Sequence, residues 1–364
     1  MEYVSTRVRP QRTPWSSRRR VTTIALLVTG GLLATAVAAN AATGGHMVPM
    51  LVDSHTGLTH AGTGPKHGSS RHGAAPMPGG SSSASKRPVA TFQTVDDPAD
   101  LTFNQLLGIN DSGRISGYFG SGADAKHPNK GYQVHAGYHR GDFMNENFPG
   151  SAQTQVVGIN NSGTTVGFFV DAMDANVGFV RWHNRFISVA NPATTAKPAF
   201  NQLLGVNNKG VAAGFYNDST GASHGYLYRI QTRTFTPVML PVKADSVVAS
   251  GINDRGDVSG FYTVGKVTRG FVFRNHHFMS LSFGGQTNTQ ALGVNNADQV
   301  VGSFVDAAGA MHGFVWHAGA VKQIDDPNGS GGTLVNGINN HNQIVGFFVD
   351  AKGNTNGFVA RLRS

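Results

Sequence analysis

Six copies of one short motif set the terms for any fold this chain can adopt. The segments GINDSGRISG from Gly108, GINNSGTTVG from Gly158, GVNNKGVAAG from Gly205, GINDRGDVSG from Gly251, GVNNADQVVG from Gly293 and GINNHNQIVG from Gly337 start 50, 47, 46, 42 and 44 residues apart. Each runs on into an aromatic pair or near-pair, such as Phe168-Phe169 or Phe347-Phe348, then a polar turn, then Gly-Phe or Gly-Tyr with an apolar tail. A unit of this length cannot bury its apolar face alone, so neighbouring copies have to stack.

One unit reads as four strands. The first is the apolar run that ends at Gly-Ile-Asn or Gly-Val-Asn. A turn rich in Asn, Asp and Gly supplies the positive-φ positions of a tight hairpin. The second strand follows, as in Val166 to Val170; a polar turn such as Asp306 to His312 leads into the Gly-Phe strand; the fourth is a looser segment such as Phe186 to Val189. Helical periodicity is absent, and four short strands per unit is the arithmetic of a β-propeller blade. The predicted fold is all-β, a six-bladed β-propeller of four-stranded blades over residues 89–364.

The ends of the repeat array predict how the ring closes. Fourth-type strands fall near Phe92, Phe143, Phe186, Phe235, Phe278 and Val321, so the first precedes any triplet while the last triplet, ending at Arg363, has no fourth strand after it. The segment Thr91 to Val95 is therefore expected to pair with the final triplet and remove the open edges. The Gly before each Phe or Tyr is expected to mark a close backbone approach or a bulge. Asn110, Asn160, Asn207, Asn253, Asn295 and Asn339 are expected to bond their own turn backbone.

The unit resembles the HAF-type extracellular repeat of bacteria, in whose consensus a GIN-x-x-G-x-VVG stretch leads through a short turn to His-Ala-Phe. The tripeptide position holds His224-Gly225-Tyr226 and His312-Gly313-Phe314, with Lys130, Val177, Arg269 or Asn356 in place of His in the other copies and Gly for Ala throughout. The resemblance covers about Val89 to Arg363. It implies an extracellular, β-rich protein and carries no assigned reaction or site residue.

Residues 1–42 read as an export signal or signal anchor. Six arginines, Arg7 to Arg20, precede an apolar run from Ile24 to Ala39, and Ala39-Asn40-Ala41 offers a cleavage site after Ala41. Arg18-Arg19 in SRRRV resembles a twin-arginine signal. An uncleaved anchor is the alternative, with residues 21–45 as the membrane tether. Either way the rest is expected outside the cytoplasm. Residues 43–88 are rich in Gly, Ser, Pro and His and read as a flexible linker. Its five histidines lack the short spacings of a metal site and read as solvated.

The formal charge of +9 is carried mostly by these leading segments; from residue 89 onward 19 Lys and Arg face 18 Asp and Glu. That balance gives no support for nucleic-acid binding. With no Cys, disulfides, thiolate metal sites and cysteine nucleophiles are excluded.

Residues that recur in all six units serve the fold, so a site should lie among those that break the repeat. The pairs Asp96-Asp97 and Asp325-Asp326, each followed by Pro, could serve glycoside hydrolysis or Ca²⁺ binding. Asn191-Pro192 holds the same position in another unit, which favours a strand-ending turn. Turns containing Asp171, Asp174, Asp218, Asp306 and Asp350 lack the alternating ligands of a Ca²⁺ loop. Trp182-His183 and Trp316-His317, with His276-His277 nearby in character, sit at strand ends and are the candidate ligand-binding residues, against a packing role for Trp. No nucleophile elbow, Walker loop or zinc helix motif is present. The expected function is a non-enzymatic, extracytoplasmic, monomeric binding module for a protein or cell-envelope glycan, with no cofactor and no metal. The alternative is a hydrolase or lyase whose acid-base residues converge at the ring's central mouth.

Overall fold

The computed structural model describes residues 89–274, 277–283 and 288–363. The predicted signal, the candidate span 21–45, the linker and His276 lie outside the described residues. No helix among the described residues is long and apolar enough to cross a membrane.

The chain opens with β1 (Ala90–Thr94). Blade 1 is β2 (Asn104–Ile109), β3 (Ile115–Phe119), β4 (Lys130–Val134) and β5 (Phe143–Asn145). Blade 2 is β6 (Gln153–Ile159), β7 (Thr165–Val170), β8 (Asn176–Trp182) and β9 (Arg185–Val189). Blade 3 is β10 (Asn201–Val206), β11 (Val211–Asn217), β12 (Ser223–Arg229) and β13 (Thr234–Pro237). Blade 4 is β14 (Ser246–Ile252), β15 (Val258–Val264), β16 (Val267–Arg274) and β17 (His277–Leu281). Blade 5 is β18 (Thr289–Val294), β19 (Val300–Val305), β20 (Met311–His317) and β21 (Ala320–Ile324). Blade 6 is β22 (Thr333–Ile338), β23 (Gln343–Val349) and β24 (Thr355–Leu362), completed by β1. The architecture is the six-bladed propeller that the repeat predicts.

Closure follows the predicted route: β1 lies antiparallel to β24, from Ala90 opposite Leu362 to Thr94 opposite Phe358. The first strands of neighbouring blades pack against one another around the axis. Because every pair within a blade is antiparallel, the ring has two distinct faces. The connections from first to second and from third to fourth strand emerge on one, called the upper face; all other connections emerge on the lower. β1 starts at the upper face, where the Val89 carbonyl accepts a 3.0 Å hydrogen bond from the Arg363 N–H.

The apolar layers between blades explain the repeat residue by residue. The aromatic after each recurrent Gly, at Tyr132, Phe179, Tyr226, Phe271, Phe314 and Phe358, is almost wholly buried. That Gly marks a close approach: a Cβ at Gly313 would lie 2.7 Å from Val335 Cγ2 and 2.8 Å from the Ile324 carbonyl. The bulge lies elsewhere. Register slips once in each first strand, immediately before the Gly of Gly-Ile-Asn, as between Leu106 and Gly108.

Candidate functional site

The axis is closed at its upper end by three concentric sets of residues, all from the repeated motif. The bulge glycines Gly108, Gly158, Gly205, Gly251, Gly293 and Gly337 stand in a ring, and a Cβ on any of them would meet the next glycine's Cα at 3.0–3.4 Å. Only backbone fits there.

The recurrent Asn comes next. Its Oδ1 accepts from its own turn, as Asn110 does from the Ser112 and Arg114 N–H groups at 3.1 and 2.9 Å. Its Nδ2 does something the sequence reading missed and reaches the next blade. Asn110 donates to the Asn160 carbonyl, Asn160 to Asn207, and so on until Asn339 donates to Asn110, six bonds of 2.9–3.1 Å that close on themselves.

The residue after each Asn forms an outer ring in the order Asp111, Asn161, Asn208, Asp254, Asn296, Asn340. Each backbone N–H donates to the next side-chain oxygen at 2.8–3.0 Å. The four amide Nδ2 groups then need acceptors, and the two carboxylates supply them: Asp111 Oδ2 takes Asn161 and Asn340, and Asp254 Oδ2 takes Asn208 and Asn296. An Asp at every third position lets each Asn touch one. Burial opposes ionisation of both acids, but these bonds outweigh it and hold Asp111 and Asp254 below the usual carboxylate range. The mouth above them is a shallow opening of about 70 Å³. Its carboxylates are charged acceptors, with no proton to give.

The candidate residues Trp182, His183, Trp316 and His317 fall in blades 2 and 5, on opposite sides of the ring. Trp182 pairs with Arg185 across a two-residue turn in which His183 and Asn184 take φ of 48° and 61°, and it is 36% exposed, edge-on to His183. In blade 5 it is His317 that occupies the equivalent turn position, opposite Ala320. Trp316 therefore falls one residue earlier and is 7% exposed, packed with Val272, Phe314 and Val300. His317 borders an opening of about 190 Å³ between blades 5 and 6, with Lys322, Arg363, Val89, Val315 and Leu362.

A second constellation breaks the repeat between blades 1 and 2. Glu146 bonds Gly131 where Val189, Leu281 and Ile324 stand opposite Gly178, Gly270 and Gly313, so it occupies a core position. It is buried, and its carboxylate takes hydrogen bonds from Gln133 and Thr165 and a 3.1 Å ion pair from Arg181. Gln133, Thr165 and Arg181 stand where the other blades carry mainly Val, Ile, Leu, Ala or an aromatic. Four polar residues thus replace an apolar quartet together. Glu146→Leu alone should cost about 3–5 kcal/mol by stranding Arg181 and its neighbours; the quadruple change of Gln133, Glu146 and Thr165 to Val and Arg181 to Tyr should recover most of that in thermal melts.

On the lower face the acidic pairs form turns. Asp97, Asn191 and Asp326 each accept from the N–H two residues on, at 2.9–3.0 Å. Asp171, Asp218, Asp306 and Asp350 do the same in the hairpins between second and third strands. Among the described residues no group of acidic and His side chains has the makings of a metal site. The two His of the tripeptide position bond those turns, His224 to Asp218 at 2.8 Å and His312 to Asp306 and Asp325 at 3.3 and 2.9 Å.

Asp96 is different. Burial, with the like charges of Asp100 and Asp350, pushes its carboxyl up to about 6 against a 2.8 Å bond from the Gly357 N–H. The folded protein then keeps a proton that the unfolded chain releases near 3.8, so stability present at pH 4 is lost as pH rises through about 6. Asp96→Asn retains the Gly357 bond and should raise the melting midpoint at pH 7.5 but not at pH 4; an equal shift at both pH values would rule this out.

No family model matches the chain, and no curated protein does. Among solved structures it is similar to virginiamycin B lyase from Staphylococcus aureus, at 9% identity and TM-score 0.42, covering 75% of this chain and 100% of that one. It is similar to the fucose-recognising six-bladed lectin of Aleuria aurantia, at 10% identity and TM-score 0.46, covering 74% and 91%. TolB from Acinetobacter baumannii follows at 9% and 0.43, covering 68% and 63%. At these identities and scores the likenesses carry no argument about function.

Proposed function

We propose that this protein is an extracytoplasmic binding module of the HAF-type repeat kind, which holds a protein or a cell-envelope glycan on its loops. The observation that carries this reading is the closed axis. At the upper end of the axis, backbone glycine and mutually satisfied amides fill the space, so a ligand on that side is left with the loop face. A hydrolase using the two carboxylates at the mouth would need one of them as proton donor, and the amide partners of Asp111 and Asp254 keep both ionised. Trp182, His183 and His317 are accessible for ligand contact; Trp316 serves packing. One copy closes the ring by itself, which supports a monomeric binding unit. Export rests on the arginine-rich and apolar pattern of residues 1–42. The test is a broad screen of the full chain against envelope glycans and envelope proteins. Specific retention is expected, and a blank screen across varied salt and pH would overturn the reading.

A further inference from the structure

The propeller is nearly neutral as a whole, yet its charge is sorted between its faces. Ten of the eleven arginines after residue 89 lie on the upper face, which carries eleven Lys and Arg against five Asp. The lower face carries twelve Asp against seven Lys and Arg. Within the upper face the acids are unevenly placed. In blades 4 and 5, Arg255 is paired with Asp257 and Asp298, and Arg274 with Asp298. In blades 1 to 3, Arg140, Arg185, Arg229 and Arg233 are exposed and form no ion pair among the described residues. The acids of that sector are Asp111, committed to the axial ring, and Asp142, which accepts from the His139 N–H at 2.7 Å.

Three of these arginines lie in the same connection of successive blades. Arg140, Arg185 and Arg233 each stand at the connection from third to fourth strand, in three consecutive blades. The middle one is the cross-strand partner of exposed Trp182. Like charges without ion-pair partners on one sector raise the local concentration of anions. An arginine fork matches a carboxylate in two parallel hydrogen bonds, and an exposed indole offers a flat face to a sugar ring.

We propose that the upper face of blades 1 to 3 binds an acidic saccharide chain, its carboxylates on the arginines and one sugar on Trp182. This rests on the binding-module reading and names its ligand class. A saccharide fits better than a flat anionic bilayer, because a sheet pressed on the whole face would also meet half-buried Asp298 and the arginines it already neutralises, whereas a chain laid across one sector does not. It fits better than a bare polyanion because Trp182 has no part in holding one.

The test uses the full chain against immobilised polygalacturonate, its methyl ester, polyphosphate and vesicles of anionic phospholipid. Polygalacturonate should be retained at low salt and released by about 0.5 M NaCl, with the methyl ester at least tenfold weaker. Arg185→Glu with Arg233→Glu should weaken retention by tenfold or more, and Trp182→Ala by about fivefold. The lower-face pair Lys266→Glu with Arg269→Glu should leave it unchanged, and a thermal melt of every variant separates loss of binding from loss of fold. Equal retention of polyphosphate or vesicles, together with an inert Trp182→Ala, would replace the saccharide with a charge-only partner and overturn the proposal. Failure to retain polygalacturonate while a neutral glycan or a protein binds in the wider screen would overturn this inference alone; a blank in both would remove the binding-module reading as well.

Discussion

Removing residues 89–95 should lower the melting midpoint by ~10 °C or more. β1 supplies the outer strand of blade 6, buries Ala90 and Val95, and sets Phe92 edge-on against Phe358 at 5.3 Å between ring centres. Without it, Phe358 and Ala360 lose their cover and β24 becomes a bare edge. Re-exposing that apolar area corresponds to roughly 5 kcal/mol, which for a domain of this size moves the midpoint by about 2 °C or more per kcal/mol. Loss of the backbone ladder and of the bond from the Val95 N–H to the Gly357 carbonyl adds to this. A melt unchanged by the deletion would show that the first strand does not hold the ring shut.

Gly346→Ala is expected to be among the most damaging single substitutions, costing ~4 kcal/mol or preventing folding outright. Gly346 lies in β23, and a Cβ there would fall inside the van der Waals shell of the Leu334 carbonyl oxygen and 3.0 Å from the Phe358 ring. The oxygen belongs to the strand ladder and the ring to the inter-blade core, so neither can yield without breaking register. Gly141→Ala is the control. It has open space at the Cβ position and no positive φ, and should change stability by less than about 0.5 kcal/mol. Soluble expression with circular dichroism melts decides both; a Gly346→Ala protein as stable as the wild type would mean that blade 6 tolerates a shift of its inner pair.

Much of this was legible in the sequence because a propeller repeats its own grammar. Strand number, blade count and the closing role of residues 91–95 all follow from six copies offset by one strand. What could not be read was anything that depends on which residue of one copy meets which residue of the next. The local turn bonds of Asn110 follow from its own motif, but the carbonyl that its Nδ2 reaches is 50 residues away. The Asp-Asn-Asn alternation is visible in the six motifs, yet its purpose needs the ring order. Trp182-His183 and Trp316-His317 look equivalent as dipeptides; a one-residue difference in hairpin register exposes the first indole and buries the second. Glu146 escaped notice because the fourth strand is the least regular, so its place in a row of Val, Leu and Ile shows only once the strands are paired. Charge sorting was hidden by the total, since a sum of nearly equal signs carries no direction.

The meeting of Val89 with Arg363 has a bearing on how the molecule is presented. Val89, the first described residue, stands on the same side of the ring as the arginines. If residues 21–45 hold the chain at a membrane, the acidic face looks outward and the basic face looks back along its own leash. A saccharide bound there would be gathered inward, between the ring and the surface that carries it. A linker of 46 residues, with a root-mean-square span of about 40 Å if fully flexible, would set the depth of envelope within which such a polymer can be caught.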